Sequence, residues 1–294
     1  MDSITLVNGR PSVMVDALDR GLAYGDGLFE TIALVQGQVQ LWQAHKQRLI
    51  AGLISLGIVL DKACAEVLLD TIAVELKAAY VLFDRPEGVI KITVTRGSGG
   101  RGYAAPASPI LTTRIISIMP WPKGRELLSS EGVSVGLCQH RWSHNTALAG
   151  IKHLNRLDQV LARSEWFDES THEGIMLNQD GGVVSGAMSN IFIEVDGMLI
   201  TPKLDQCGIK GTMAQHIIAM AQNFGINVLQ QPVSLHELMK ADAVLMTNSI
   251  NGIWPVVALS ADVCTQWPIS KLTITLQKAL AKDLSHQTQV SDVC

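Results

Sequence analysis

One lysine, two arginines and a few hydroxyl and amide side chains are the residues here whose surroundings suggest chemistry. The stretch LAGIKHLNRLDQVLAR, residues 148–163, sets Lys152 between a small, apolar approach and what reads as an amphipathic helix. A cation at the positive end of a helix dipole is disfavoured by roughly 0.3 to 1 kcal/mol when exposed. The same position helps a lysine that must be neutral to act as nucleophile or base. Bringing its pKa from about 10.4 to near 7 or 8 takes roughly 3 to 5 kcal/mol, so burial has to contribute most of it. An ordinary surface lysine is the bland alternative.

The segment GSGGRG, residues 97–102, satisfies the G-x-G-x-x-G spacing after an expected strand. A dinucleotide fingerprint must also open a helix, and Pro106 and Pro109 forbid one. What remains is a loop carrying Arg96 and Arg101, either a solvated turn or a carboxylate clamp, because a guanidinium fork matches that group bidentately. GIKGTMAQHI pairs glycines with Thr212 at an expected helix start, which offers free backbone N–H groups and a hydroxyl to an anion, or simply caps the helix. MTNSINGIWP ends a strand in hydroxyl and amide side chains that can hold a ligand or cap a turn. His140 and His144 are four apart, but no H-E-x-x-H pattern accompanies them and no metal site is expected. There is no G-x-S-x-G elbow for serine hydrolysis.

The elements that must position these residues follow from periodicity. SITLVNG and FETIALVQGQVQLW read as strands, the second a hairpin turning at Val35–Gln38. QAHKQRLIAGLISLGI puts His45, Leu49, Leu53 and Leu56 on one helical face, with Gly57 to stop it, and residues 62–82 read as a second helix. GVIKITVTRG and ILTTRIISIM are strands leading to PWPKG, whose prolines end regular structure. The reading is a small domain over residues 1–118, a linker at 119–124, and a larger domain over 125–294 carrying Lys152. In the larger domain GVSVGLCQ is a strand, EGIMLNQDGGVVSGAMSNIFIEVDGMLITP is a meander, and GTMAQHIIAMAQNFG is a helix. Strand INVLQQPV, helix SLHELMKA, strand DAVLMTNS and a helix over 269–284 follow. This order suits two α+β domains better than regular βαβ alternation.

Composition excludes several function classes. The 294 residues are 47% hydrophobic, and 23 basic against 27 acidic residues in mixed order form no basic stripe, so no nucleic-acid partner is expected. No run approaches the about 18 apolar residues of a membrane span, and the N-terminus lacks a signal pattern, which reads as a cytoplasmic protein without a membrane partner. Five scattered cysteines without a CxxC read as reduced thiols.

Taken together, DRGLAYGDGLFETI, HKQRL, RGSGGRGY, AGIKHLNRLDQVLAR, SNIF, GIKGTM and TNSINGIWPV resemble, in order, the blocks of the fold-type IV pyridoxal-phosphate enzymes. RGSGGRGY and AGIKHLNR are more similar to the aminodeoxychorismate lyase branch than to the aminotransferases. The resemblance implies a two-domain α+β protein of that fold, a homodimer, with pyridoxal 5'-phosphate as cofactor. It implies that Lys152 binds the cofactor aldehyde and then abstracts the substrate proton, and that Thr31 delivers or positions a proton. Arg48, Gly211, Thr212, Met213 and Ser249 would hold the phosphate, and Ser185 and Asn190 would lie beside the ring. Tyr24, Arg96, Arg101, Tyr103 and Asn248 would meet the substrate, 4-amino-4-deoxychorismate, which leaves as 4-aminobenzoate and pyruvate. A D-amino-acid or branched-chain aminotransferase, or a cofactor-binding protein without turnover, are the alternatives.

Two positions depart from the pattern. Five residues before the SNIF asparagine the family usually has a glutamate that keeps the pyridine nitrogen protonated, and Ser185 stands there. A hydroxyl supplies no negative charge. Three readings follow: the loss hurts transamination more than an elimination assisted by aromatisation of the substrate ring, the site is impaired, or a different residue reaches the nitrogen. Ala214 replaces the arginine common after GTM.

Overall fold

A computed structural model describes residues 3–107, 110–124, 127–166, 170–260 and 264–293. The chain divides into two compact units. Met1–Pro122, Lys152–Asn155 and His286–Cys294 make the first, and Lys123–Ile151 with Arg156–Ser285 the second. Among the described residues no helix is long and apolar enough to cross a membrane.

The first unit contains β1 (Ile4–Val7), β2 (Arg10–Pro11), α1 (Arg20–Tyr24), β3 (Gly27–Val35), β4 (Gln38–Val39), α2 (Trp42–Ser55), α3 (Lys62–Phe83), β5 (Gly88–Thr95) and β6 (Thr113–Met119), and β17 (Thr288–Gln289) returns to it. Its described strands form one antiparallel sheet in the order β17-β4-β3-β5-β6-β1-β2. The hairpin turns where the sequence suggests, with Gln36 and Gly37 both at positive φ, the geometry that matches the twist of flanking strands. α3 starts on Asp61, whose side chain accepts from the Cys64 N–H, and buries Ala65, Leu69, Ile72, Leu76 and Ala79 at helical spacing. Alternation along β3 sends Leu28, Glu30, Ile32 and Leu34 inward. Glu30 is a carboxylate in a row of aliphatic residues.

The second unit contains α4 (Leu128–Glu131), β7 (Val133–Leu137), α5 (Leu157–Arg163), β8 (Glu173–Leu177), β9 (Gly182–Gly186), β10 (Asn190–Val195), β11 (Met198–Pro202), α6 (Thr212–Asn223), β12 (Val228–Gln231), β13 (Val233–Ser234), α7 (Leu235–Lys240), β14 (Ala243–Asn248), β15 (Gly252–Ser260), β16 (Thr265–Gln266) and α8 (Lys271–Asp283). Its sheet runs β12-β11-β10-β14-β15-β7-β8-β9-β13, with β16 added to β15. Val135, Ile175, Ile191, Val244, Trp254 and Val256 form part of its core.

Two expectations are corrected, and one strand, β15, adds to those read from the sequence, with Pro255 inside it, a residue that cannot donate to a ladder. β15 pairs with β14 in register Leu245↔Pro255, and a register shift between Val256 and Ala258 marks an irregularity where it joins β7. The helix expected to open near Lys152 begins only at Leu157. Lys152 therefore lies five residues ahead of a helix, and the dipole argument does not apply to it. Lys152 also belongs with the first unit rather than the larger C-terminal one. The Phe29 N–H donates to the Lys152 carbonyl at 3.1 Å and the Leu154 N–H to the Gly27 carbonyl at 2.9 Å, so residues 152–154 extend along β3. Backbone pairing across more than a hundred residues has no local sequence signal.

Candidate active site

In the first unit, β3 sets the site. Phe29 and Thr31 lie on its half-buried side, and the Lys152 amine stands 4.2 Å from the Phe29 ring centroid. Lys91 of β5 is the ladder partner of Thr31, and its Nζ is 5.6 Å from the same ring. Partners in a ladder share a face, so Phe29, Thr31 and Lys91 do so, and two amines approach one aromatic ring. Sequence reasoning missed Lys91. The signal was its place in IKITV, a charge on the polar side of an alternating strand, which reads as ordinary solvation.

Beneath this face Glu30 ties two further residues together. Arg48 Nε donates to Glu30 Oε1 at 2.8 Å and its terminal nitrogen to Oε2, while His45 Nδ1 lies 2.6 Å from Oε2. Glu30 and His45 are almost fully buried. Burial pushes the Glu30 carboxyl upward, but the charge and hydrogen bonds of Arg48, with the hydrogen bond of His45, outweigh it and hold the group down at about 2. Burial lowers His45 further than the Glu30 contact raises it, with Arg48 and Lys152 adding repulsion, so the imidazole is neutral near pH 7 and its Nδ1–H donates to the carboxylate. Arg48, expected to hold a phosphate, is thus aimed by a bidentate carboxylate that sequence reasoning did not assign. The detectable signals were a glutamate at inward strand parity and a histidine on the apolar face of α2.

Arg96 is corrected. Its Nε and one terminal nitrogen hold Asp26 at 2.7 and 3.1 Å, and both terminal nitrogens donate at 2.6 Å to the carbonyls of Gly57 and Leu56. All its nitrogens serve the fold, so it presents no fork to a substrate carboxylate. Arg101 and Tyr103 stand exposed on the loop that follows, and the Tyr103 ring meets Tyr24 at 5.4 Å between centroids.

In the second unit, Gly211 caps α6 without a side chain, leaving first-turn N–H groups, including that of Met213, without a side-chain cap. The Thr212 and Ser249 hydroxyls lie 3.1 Å apart at this end. Asn190 Nδ2 donates to the Ile209 carbonyl at 2.9 Å, and a Cβ at Gly211 would come within 2.0 Å of Asn190 Oδ1. Gly211→Ala should therefore push Asn190 aside and open the helix mouth. The expected result is a roughly tenfold weaker Kd for pyridoxal phosphate, about one anion hydrogen bond, read by absorbance titration.

Asn248 is built into its own turn. Its Oδ1 accepts from the Ile250 and Asn251 N–H groups at 2.9 and 2.8 Å, and its Nδ2 donates to Ser189 Oγ at 3.1 Å. Ser189 Oγ in turn donates to Glu173, which also accepts from the N–H groups of Gly174, Ala187 and Met188. Ser185 is buried: its hydroxyl donates to the Gly186 carbonyl at 2.7 Å and accepts from Trp142 Nε1 at 3.2 Å. With its only proton committed, it has a lone pair to offer a donor.

The first unit offers a lysine amine and a carboxylate-aimed arginine, groups suited to an aldehyde and to a phosphate, and the second, taken by itself, offers a helix N-terminus with a hydroxyl pair, which suits an anion.

Comparison with known proteins shows the family and the fold. The family model described as amino-transferase class IV matches residues 27–259. The chain is 36% identical over 281 residues to an aminodeoxychorismate lyase of Vibrio harveyi, covering 92% of this chain and 97% of that one. It is 31% identical to a putative branched-chain-amino-acid aminotransferase of Methanocaldococcus jannaschii over 90% of this chain and 89% of the other. Among solved structures, 4-amino-4-deoxychorismate lyase from Pseudomonas aeruginosa superposes with a TM-score of 0.88 at 42% identity, covering 96% and 100% of the two chains. A branched-chain aminotransferase of Escherichia coli, at 24% identity and a TM-score of 0.81 over 97% and 95%, shares the fold. The architecture is the two-domain α+β arrangement of fold-type IV.

Proposed function

We propose that this chain, which belongs to the amino-transferase class IV family, is a pyridoxal-phosphate-dependent lyase that converts 4-amino-4-deoxychorismate to 4-aminobenzoate and pyruvate. The observation that carries the reading is the Lys152 amine on the Phe29, Thr31 and Lys91 face, in a chain whose likeness to two lyases runs nearly end to end. When bound, pyridoxal phosphate supplies the electron sink for breaking the bond to the enolpyruvyl oxygen. Arg48, aimed by Glu30, and the α6 N-terminus with Thr212 and Ser249 would hold its phosphate.

Lys152 then removes the proton from the substrate carbon that bears the amine. As the carbon–oxygen bond breaks, the enolpyruvyl group leaves and takes up a proton to become pyruvate, and the six-membered ring becomes aromatic. The Thr31 hydroxyl, on the same face of β3 as Phe29, would pass or orient that proton. The substrate carries two carboxylates, for which Lys91, on the Phe29 and Thr31 face, and the exposed Arg101 are the cations of this reading. A homodimer working in the cytoplasm is part of the reading. The dimer is supported by the apolar side of α5, where Leu157, Val160 and Leu161 are exposed at i, i+3, i+4 spacing.

The decisive assay supplies aminodeoxychorismate to the purified, cofactor-loaded protein. Stoichiometric pyruvate and 4-aminobenzoate are expected. Amino-group exchange between an amino acid and a keto acid, without pyruvate release, would replace the lyase with an aminotransferase. Ser185 bears on the same choice, since an elimination that ends in an aromatic ring needs less help from a charged nitrogen partner. Ser185→Glu is expected to gain no more than about threefold in kcat for pyruvate release, under roughly 0.7 kcal/mol of barrier. A large gain would mean that the hydroxyl impairs the site.

A further inference from the structure

Arg20 is a buried arginine for which the reaction above has no use. Its Nε donates to Asp26 Oδ2 at 2.9 Å, and its terminal nitrogens donate to the carbonyls of Gly102 and Ala104 at 3.1 Å, Gly99 at 3.4 Å and Tyr103 at 3.1 Å. Its guanidinium carbon lies 5.0 Å from the Tyr24 ring, which meets Tyr103. One side chain thus gathers four carbonyls of a single loop. Only a planar guanidinium has the donors and the geometry for this; a lysine ammonium reaches one or two acceptors at most from that stem.

The surroundings are built for the same purpose. Asp26 takes both Arg20 and Arg96, leaving one positive charge in excess, and the loop carbonyls together with those of Leu56 and Gly57 compensate it. Asp19 accepts from Thr95 Oγ1 at 2.9 Å and from the Gly21 N–H at 2.7 Å, and the Arg20 N–H donates to Gly97 at 2.9 Å. Carbonyls can converge on one point because Gly97, Gly99, Gly100 and Gly102 all take positive φ. The DRG and RGSGGRGY blocks are therefore one device.

What this device displays is telling. Tyr103 is 89% exposed although its own carbonyl is held from beneath, and Arg101 is exposed two residues before it. An aromatic ring and a guanidinium that contribute no burial, on a backbone fixed by a buried cation, are arranged for something outside the fold. We propose that Arg20 is a positioning residue that fixes the Gly99–Ala104 loop and so aims Arg101 and Tyr103 at a dicarboxylate substrate, an inference that rests on the lyase reading.

Arg20→Lys in the cofactor-loaded protein tests it with two readouts. Trypsin should cleave after Arg101 about fivefold faster than in the parent, because a released glycine-rich loop opens locally. KM for aminodeoxychorismate should rise about tenfold with kcat within about twofold and the cofactor absorbance unchanged, the pattern of lost substrate binding. A merely structural role would instead lower kcat and cofactor content together. Gly100→Ala disturbs the same loop while leaving the Arg20 side chain in place, since its Cβ would fall 2.2 Å from the Ala104 carbonyl oxygen that Arg20 holds; it should reproduce both changes, and it keeps the test open if Arg20→Lys does not fold. Unchanged cleavage in both variants overturns the clamp, and faster cleavage with unchanged KM overturns its link to substrate. If the parent protein releases no pyruvate the lyase reading fails, and the cleavage rates alone still decide whether Arg20 holds the loop.

Discussion

Lys152→Ala should abolish pyruvate release while leaving the protein folded. The loss in kcat is expected at about a thousandfold or more, within the range for removing a positioned proton-transfer group and raised further by loss of the cofactor attachment. Folding is spared because the pairing to β3 is made by backbone: the Lys152 carbonyl accepts from Phe29 whatever the side chain. The contact given up is the amine at 4.2 Å from the Phe29 ring, an interaction of order 0.5 to 2 kcal/mol. Borohydride should fix pyridoxal phosphate covalently to residue 152 of the parent and to no residue of the variant. Activity within tenfold of the parent, or labelling at another lysine, would discard the assignment of Lys152.

The second large effect is on stability. Glu30→Gln leaves the Arg48 guanidinium partly buried without its counter-charge, and breaking such a pair costs about 3 to 5 kcal/mol. Its pH dependence identifies the cause. A carboxyl held at about 2 in the folded protein, against 4.5 for the ordinary group, contributes stability that is complete above about pH 4.5 and drains as pH falls toward 2. Protonated glutamate resembles glutamine, so the gap between parent and variant in urea midpoint should be constant near neutrality and close over that window. A gap that persists unchanged at pH 2 would show that packing rather than charge is responsible. Added pyridoxal phosphate should stabilise the variant more than the parent, since its phosphate supplies the missing anion to Arg48.

The Arg48–Glu30–His45 group also shows why the phosphate-binding arginine alone was an incomplete description. A guanidinium on a helix has several rotatable bonds, and holding it for a phosphate requires that those be fixed beforehand. Glu30 does so from β3, with both of its oxygens on Arg48, and its remaining demand is met by His45. A carboxylate beside a phosphate site weakens the local field while it fixes the direction of the donor. Arg20 on Asp26 repeats the arrangement for a loop of carbonyls.

By itself the sequence determined the elements whose signals are local: the hairpin at Gln36–Gly37, the long helix begun by Asp61, the meander from Glu173 to Pro202 and the glycine-capped start of α6. Periodicity, capping and turn chemistry act over a few residues and can be read without neighbours. Ordered blocks likewise sufficed for the family. Only the tertiary structure decided what those side chains touch. It moved Lys152 from a helix mouth to an extended segment beside β3, and it spent Arg96 on Asp26 and two carbonyls. It also found Lys91 opposite Thr31 and gave Arg48 its carboxylate. Each of these depends on pairing between segments tens to more than a hundred residues apart, where hydrogen-bond direction and burial are set by the partner strand and not by the residue's own neighbours.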